Sequence, residues 1–469
     1  MKNKRLFCMI LLTLWVIQSM AVPALASSAV EQGCMTLDGQ VCIYGEGKLL
    51  DTAKAVVLYE MGTGTLVYSW DADLRIDPSG MNKIMTAMLA IEYSDPDDIV
   101  TVGRAALDSV GIGSVSAGLK VGEEISLRDL LYCMMVGSAN DAAAVIAEYV
   151  GSDQEGFVQL MNQKAQELGC TDTNFMNANG LSHEQQYTTA RDLAKITSAA
   201  LQDPLFVELF GAVNYTVPAT NKSDVRELVT TNYLMLSDKK QYDQRVTGGK
   251  TGALSTTDRS LICTAEVDGV RYLSVVMSAQ GTVTANGLAV KTFGSFEETR
   301  ELLDHGFEDH AVRQLLYEDQ VMEQFPVSGG ENDVIGRPAQ DVTVVLPTDM
   351  VSLDVSYQFV TSPEGLTAPI VSGEKIGTIE VWFRGKCVGS CDLVAMHDVD
   401  QPGVDNISLI PTAEAVAQRT WITWLLLIGI VVVGALLIFA VVLVVMRRIR
   451  LAKIERRHKI IRGETGRKR

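Results

Sequence analysis

Three short groups of residues in this chain carry the side chains that acyl-transfer chemistry requires. They are Gly80-Met81-Asn82-Lys83, then Ser138-Ala139-Asn140, then Lys250-Thr251-Gly252 preceded by Gly248-Gly249. A lysine one helical turn from a serine takes its proton when burial and cationic neighbours depress the lysine pKa. A second hydroxyl and an amide then relay protons and hold the substrate amide, and Ser138 and Asn140 are the right types. Lys250 and Thr251 on an edge strand suit a substrate carboxylate, and Gly252 lets its backbone come close. Backbone N–H groups near the nucleophile and just after Gly252 would form an oxyanion hole. Taken singly, an S-x-N is commonly a turn or cap and a K-T-G a loop. Their order and spacing give them weight together. In the first group, however, glycine stands three residues before Lys83, and Ser79 stands four before it.

The surrounding pattern predicts the elements that position these groups. Ala55-Val56-Val57-Leu58-Tyr59 and Thr65-Leu66-Val67-Tyr68-Ser69-Trp70 flank Gly62-Thr63-Gly64 and read as a β-hairpin. Lys83 to Tyr93 has helical periodicity through Ile84, Ala87, Met88 and Ile91. Leu127 to Val150 reads as a second helical region, with Ser138 and Asn140 inside it. Thr188 to Leu201 reads as a third, capped by Thr188. Leu261-Ile262-Cys263 and Tyr272 to Met277 read as strands about the turn Asp268-Gly269. Ser295 to Gly306 reads as a closing helix, with Ser295 and Glu298 as a capping box. Strands at both ends with helices between predict a mixed α/β domain over residues 48–308. Short β-type runs separated by Gly, Pro and Asp predict a small all-β domain over 312–397.

With these motifs in place, the chain resembles the serine-type D-Ala-D-Ala carboxypeptidases, the low-molecular-mass penicillin-binding proteins. Further stretches carry the resemblance: Asn174-Phe175-Met176-Asn177-Ala178-Asn179-Gly180-Leu181, Tyr187 to Ala194, Thr231-Asn232-Tyr233-Leu234, and Leu366 to Gly377 in the β-domain. The resemblance implies a β-lactamase/DD-peptidase-like α/β (α+β) fold, an antiparallel sheet packed with helices plus a helical subdomain. It implies Lys83 as general base, Ser138 and Asn140 as the second catalytic motif, and Lys250, Thr251 and Gly252 as binders of the substrate carboxylate. It also implies a peptidoglycan stem peptide ending in D-Ala-D-Ala as ligand, β-lactams as non-covalent ligands, and no cofactor or metal. Two departures stand out. Gly80 occupies the nucleophile position of the family's P-A-S-x-x-K pattern, and Pro78 and Lys83 hold the register. After Gly252, a threonine and an Ala-Gly pair usual in the family are replaced by Leu254, Thr257 and Asp258. Ser79 lies one helix step, about 100°, from the nucleophile position, which aims its side chain elsewhere. The chain therefore reads as a scaffold with its attacking hydroxyl lost. The alternatives are a working carboxypeptidase using Ser79 or another nucleophile, and a non-binding structural envelope protein.

The ends of the chain predict export and anchoring. Lys2, Lys4 and Arg5, an apolar run to Val16 and Ala24-Leu25-Ala26 make a signal peptide over residues 1–26, followed by a leader over 27–47. After a polar linker over 398–420, residues 421–446 contain no charge and are long enough to cross about 30 Å of hydrocarbon. Trp421 and Trp424 suit the outer interface, and the basic tail over 447–469 suits the cytoplasmic side. These features predict a single-pass type I protein of the cell membrane. The whole chain is formally −17. Removing the signal's three basic residues, and the tail's eleven basic residues set against two acidic ones, leaves −29 on 27–420. That balance excludes nucleic acid as a partner. Of eight cysteines, Cys34 and Cys42 are near enough in sequence to pair. Cys387 and Cys391, four apart in a strand, are separated by roughly 13 Å and do not bridge. Cys133, Cys170 and Cys263 read as buried thiols.

Overall fold

A computed structural model of the chain describes residues 48–111, 113–284 and 290–401. The signal, leader, membrane span, tail and most of the linker expected from the sequence lie outside the described residues, as does the suggested Cys34–Cys42 pair. Among the described residues no helix is long and apolar enough to cross a membrane.

The apolar runs become the strands of one five-stranded sheet. They are β1 (Ala55–Glu60), β2 (Thr65–Trp70), β3 (Val246–Ala253), β4 (Asp258–Val267) and β5 (Val270–Gln280), in the order β2-β1-β5-β4-β3 and antiparallel throughout. β4 and β5 turn through Asp268 and Gly269, whose φ values of +50° and +83° fit a type I′ hairpin. These strands read as continuous apolar runs because both faces of the sheet are covered. Val57, Ile262, Leu273 and Val275 belong to one core with Ile84, Leu130, Ala143 and Leu193 from the helices. Val56, Leu58, Leu261 and Val276 belong to another, with Phe296, Leu302 and Leu303. β3 is left at the sheet edge, as expected for the strand carrying Lys250.

Among the described residues the longer helices are α1 (Asn82–Tyr93), α2 (Leu127–Met135), α3 (Asn140–Gly151), α4 (Gln154–Glu167), α5 (Ala190–Ala200), α6 (Pro204–Gly211) and α7 (Gly294–Asp309), with a five-residue helix over Arg104–Asp108. Three expectations are corrected. The helical region predicted over 127–150 is two helices, because the chain breaks at Val136–Ala139 with Ser138 at φ +57°. The cap of α5 is Thr189, whose side chain accepts from Asp192 N, while Thr188 pairs with Ile76 in an isolated bridge. Ser295 and Glu298 do not form a capping box: α7 starts at Gly294 with no side-chain cap. The Glu298 carboxylate instead accepts from Thr52 N (2.7 Å), Thr52 Oγ1 (2.6 Å) and Ala53 N (2.8 Å), so it pins the strand entry to α7.

Beyond α7 the described residues are β-strands and their connections, with one 3-10 turn over Ser352–Asp354. β6 (His310–Leu316) pairs with β8 (Val342–Pro347). β7 (Val334–Pro338), β9 (Val355–Thr361), β10 (Lys375–Phe383) and β11 (Lys386–Ala395) form a sheet in the order β7-β11-β10-β9, with Gln324–Phe325 on β7. Val345 of β8 is buried in the cluster that contains Val56 and Val67, and its N–H donates to Thr65 Oγ1 at 3.3 Å. The β-domain therefore docks on the outer strand of the larger sheet. Cys387 is disulfide-bonded and Cys391 is a free buried thiol, so the two do not bridge each other. Cys133, Cys170 and Cys263 are free and buried.

Candidate active site

The site forms where the start of α1, the break between α2 and α3, and the edge strand β3 converge. The Asp77 side chain accepts from Ser79 N at 2.8 Å, and a tight turn over Ser79–Met81 runs directly into α1. This turn places Lys83 in the first turn of α1, with its side chain buried. Lys83 Nζ donates to Asn140 Oδ1 at 2.7 Å and to the carbonyl of Asn179. Asn140 is at the required place because α3 begins there. Next to it, Asp141 accepts from Ala117 N (2.9 Å), Leu119 N (3.1 Å) and Ser116 Oγ (2.6 Å), which ties the helix start to the preceding loop.

Ser138 projects from the break between the helices and is half-buried. Lys250 reaches it from β3, with Nζ donating to Ser138 Oγ at 2.9 Å. The neighbouring Thr251 shares a 2.6 Å hydrogen bond with the Thr231 hydroxyl. Gly252 permits a close approach: a Cβ there would lie 3.2 Å from Pro78 O and 3.4 Å from Ser79 Cβ, so β3 packs directly on the turn before α1. The structure thus brings Lys83, Ser138, Asn140, Lys250, Thr251 and Gly252 into one cluster around Gly80.

Gly80 itself faces this cluster. A Cβ added there would lie 3.0 Å from Thr251 O, 3.7 Å from Gly252 Cα and 3.8 Å from Ser138 Oγ. A side chain at 80 would therefore enter the space between the second and third motifs. Ser79 turns to the backbone of the residue after Gly252. Its Oγ accepts from Ala253 N and donates to Ala253 O, both at 2.8 Å.

Burial sets the electrostatics. Desolvation holds the Lys83 ammonium well below its ordinary pKa, the charge of Lys250 pushes it further down, and Asp141 opposes the shift. Burial alone lowers Lys250 to about 7. Two lysines thus share a site in which neither keeps its charge as it would in water. The arrangement supplies two lysines whose charged forms are disfavoured by burial, beside the hydroxyls of Ser138 and Thr251.

Several contributors were not assigned a role from sequence. Asn179 holds Lys83 through its backbone carbonyl, Thr231 orients Thr251, and Ala253 acts through its backbone, which no side-chain type signals. Gly180 is a further case. Its φ is +80°, and a Cβ there would stand 1.8 Å from Ser79 O, so only glycine lets this loop lie on the Ser79–Gly80 peptide. Asn177 to Gly180 and Thr231-Asn232 stand out in the sequence as short polar stretches, without disclosing which atoms they present. Asn82 donates to Gln186 Oε1 at 2.8 Å and to Asn177 O at 2.9 Å, which fastens the same loop to α1.

Residues 48–281 match the family model for D-alanyl-D-alanine carboxypeptidase, and residues 312–401 match the model for the penicillin-binding protein 5 C-terminal domain. The chain is 31% identical over 361 residues to D-alanyl-D-alanine carboxypeptidase DacD of Escherichia coli (strain K12), covering 74% of this chain and 87% of that protein. It is 26% identical over 359 residues to DacF of Bacillus subtilis, covering 76% and 88% respectively. Among solved structures it resembles penicillin-binding protein 5 from Haemophilus influenzae, at 27% identity and a TM-score of 0.60, covering 75% of this chain and 98% of that one.

Proposed function

This chain belongs to the D-alanyl-D-alanine carboxypeptidase family of low-molecular-mass penicillin-binding proteins, and from that premise we propose that it recognises peptidoglycan stem peptides without becoming acylated by them. The observation that carries the proposal is Gly80: a side chain at this position would enter the cluster between Ser138 and Thr251, and glycine has none. Losing the nucleophile of a serine hydrolase costs on the order of a millionfold in turnover, about 8 kcal/mol of barrier. In this reading Lys250, Thr251 and Ser138 receive the terminal carboxylate of a D-Ala-D-Ala peptide, and Asn140 receives its amide. Lys83, the family's general base, has no hydroxyl to deprotonate. β-Lactams bind the same groups non-covalently.

A nucleophilic role for Ser79 lacks support, because its hydroxyl is committed to the Ala253 backbone while Lys83 is bonded to Asn140 and Asn179. The test uses the full-length protein and its Gly80→Ser variant with fluorescent penicillin. The expected result is covalent labelling of Gly80→Ser alone. Labelling of the native chain would overturn the proposal in favour of a working carboxypeptidase. Calorimetry with a D-Ala-D-Ala peptide examines recognition, and absence of binding would leave only a structural role in the envelope.

The same proposal includes a single-pass type I anchor, supported by the uncharged run over 421–446 and the basic tail after it. External protease treatment of intact cells is expected to remove the large domain and spare the tail.

A further inference from the structure

Ser79 is the residue next to the lost nucleophile, and its conformation is unusual. Its φ is +52°, a left-handed backbone that is costly for a residue with a Cβ. It is 5% exposed. Its N–H is held by Asp77, and its hydroxyl makes two hydrogen bonds to one residue, Ala253, as donor and as acceptor. A strained conformation that persists at a site points to a role there.

The location of Ala253 gives that role its content. β3 is an edge strand, paired with β4 on one side. The N–H and C=O of Ala253 face the other side, where Ser79 takes both. Thr251 O faces the same way, 3.0 Å from the place a Cβ at 80 would occupy. Unpaired N–H and C=O groups on a strand edge are what an extended peptide ligand pairs with. An N–H beside a nucleophile position is also what stabilises a developing oxyanion. Both capacities of Ala253 are occupied by a side chain of the protein itself.

We propose that Ser79 is a gate on the ligand site, its hydroxyl occupying the Ala253 backbone so that a peptide or β-lactam carbonyl docks there only after Ser79 turns away. The inference rests on the proposed peptide-recognition function and adds its regulation. Until the gate opens, ligands are held at the carboxylate end, by Lys250, Thr251 and Ser138. The net worth of one hydrogen bond corresponds to about tenfold in an equilibrium, so the gate lowers carbonyl capture by about tenfold or somewhat more.

The test compares four full-length forms: native, Ser79→Ala, Gly80→Ser and the double variant. Ser79→Ala keeps the Cβ and its backbone strain and removes only the hydroxyl. Without any ligand, hydrogen exchange at the Ala253 amide is expected to quicken by about tenfold in Ser79→Ala; unchanged exchange would show that the group was never occupied and overturn the gate. With fluorescent penicillin, the double variant is expected to label about tenfold faster than Gly80→Ser. Equal labelling rates would overturn the gate and leave the recognition proposal standing. Absence of labelling in both serine-restored forms, with circular dichroism matching the native chain, would overturn the recognition proposal and the gate that rests on it.

Discussion

Replacing Lys250 by methionine should stabilise this protein at neutral pH, although it removes a hydrogen bond from the candidate site. Lys250 is fully desolvated between β3 and Ser138, and burial lowers its pKa from 10.5 to about 7. At 1.36 kcal/mol per pKa unit, a depression of about 3.5 units amounts to about 5 kcal/mol. The sign follows from proton counting. Below pH 7 both folded and unfolded states carry the charge, and the folded state bears the whole desolvation penalty. Between pH 7 and 10.5 the unfolded chain keeps a proton that the folded chain has released, so native stability rises with pH by about 1.36 kcal/mol per unit. Above 10.5 both states are neutral and the penalty is gone.

Methionine carries no such penalty and fills a similar volume. The lost bond from Nζ to Ser138 Oγ offsets about 1 kcal/mol, since Ser138 is half-buried and water reaches it. Lys83 also loses a neighbouring charge that depresses its pKa, which acts in the same direction. The net expectation is a gain of about 4 kcal/mol at pH 7, shrinking by about 1.36 kcal/mol per unit toward pH 10. Urea unfolding of both full-length forms at pH 6, 7, 8 and 9, followed by circular dichroism, measures the difference directly. Groups titrating elsewhere cancel between the two forms. A difference that stays flat from pH 6 to 9, or a methionine variant less stable than native at pH 7, would refute the reasoning.

The same lysine gives the ligand site a pH dependence. A carboxylate ligand requires charged Lys250, so binding of a D-Ala-D-Ala peptide at pH 8 should take up a proton, seen in calorimetry as a heat that varies with the buffer, and affinity should fall as pH rises above about 7. Gly180→Ala combines a positive φ with a Cβ 1.8 Å from Ser79 O; it should cost about 3 kcal/mol or more in urea unfolding and loosen the turn before α1. Glu298→Ala strands three donors at Thr52 and Ala53, and a loss of about 2–4 kcal/mol in the same assay is expected.

Much of the fold was legible because its strands and helices are long apolar runs with clear punctuation. The hairpin of β1 and β2, the turn at Asp268-Gly269 and the start of α1 follow from local pattern alone. Apolar residues flank Gly137-Ser138-Ala139-Asn140-Asp141 on both sides, and their periodicity outweighed this local cap signal, which marks where the helix breaks to aim a hydroxyl at Lys250. Glu298 has the spacing of a capping box, yet its carboxylate goes to Thr52 and Ala53, some 246 residues away in sequence. Local rules do not weigh such distant partners.

By itself the sequence determined the candidate groups: Lys83, Ser138, Asn140 and Lys250 in order, and a glycine three residues before Lys83. Residue type and spacing are enough for that, because each group acts through its own side chain. Only the tertiary structure decided what fills the gap. It shows that position 80 faces Ser138 and Thr251, that Gly180 lies on the peptide beside it, and that Ser79 turns to Ala253. Those facts depend on backbone atoms of three separated segments meeting within hydrogen-bonding distance, and a backbone N–H or C=O looks the same at every position of a sequence.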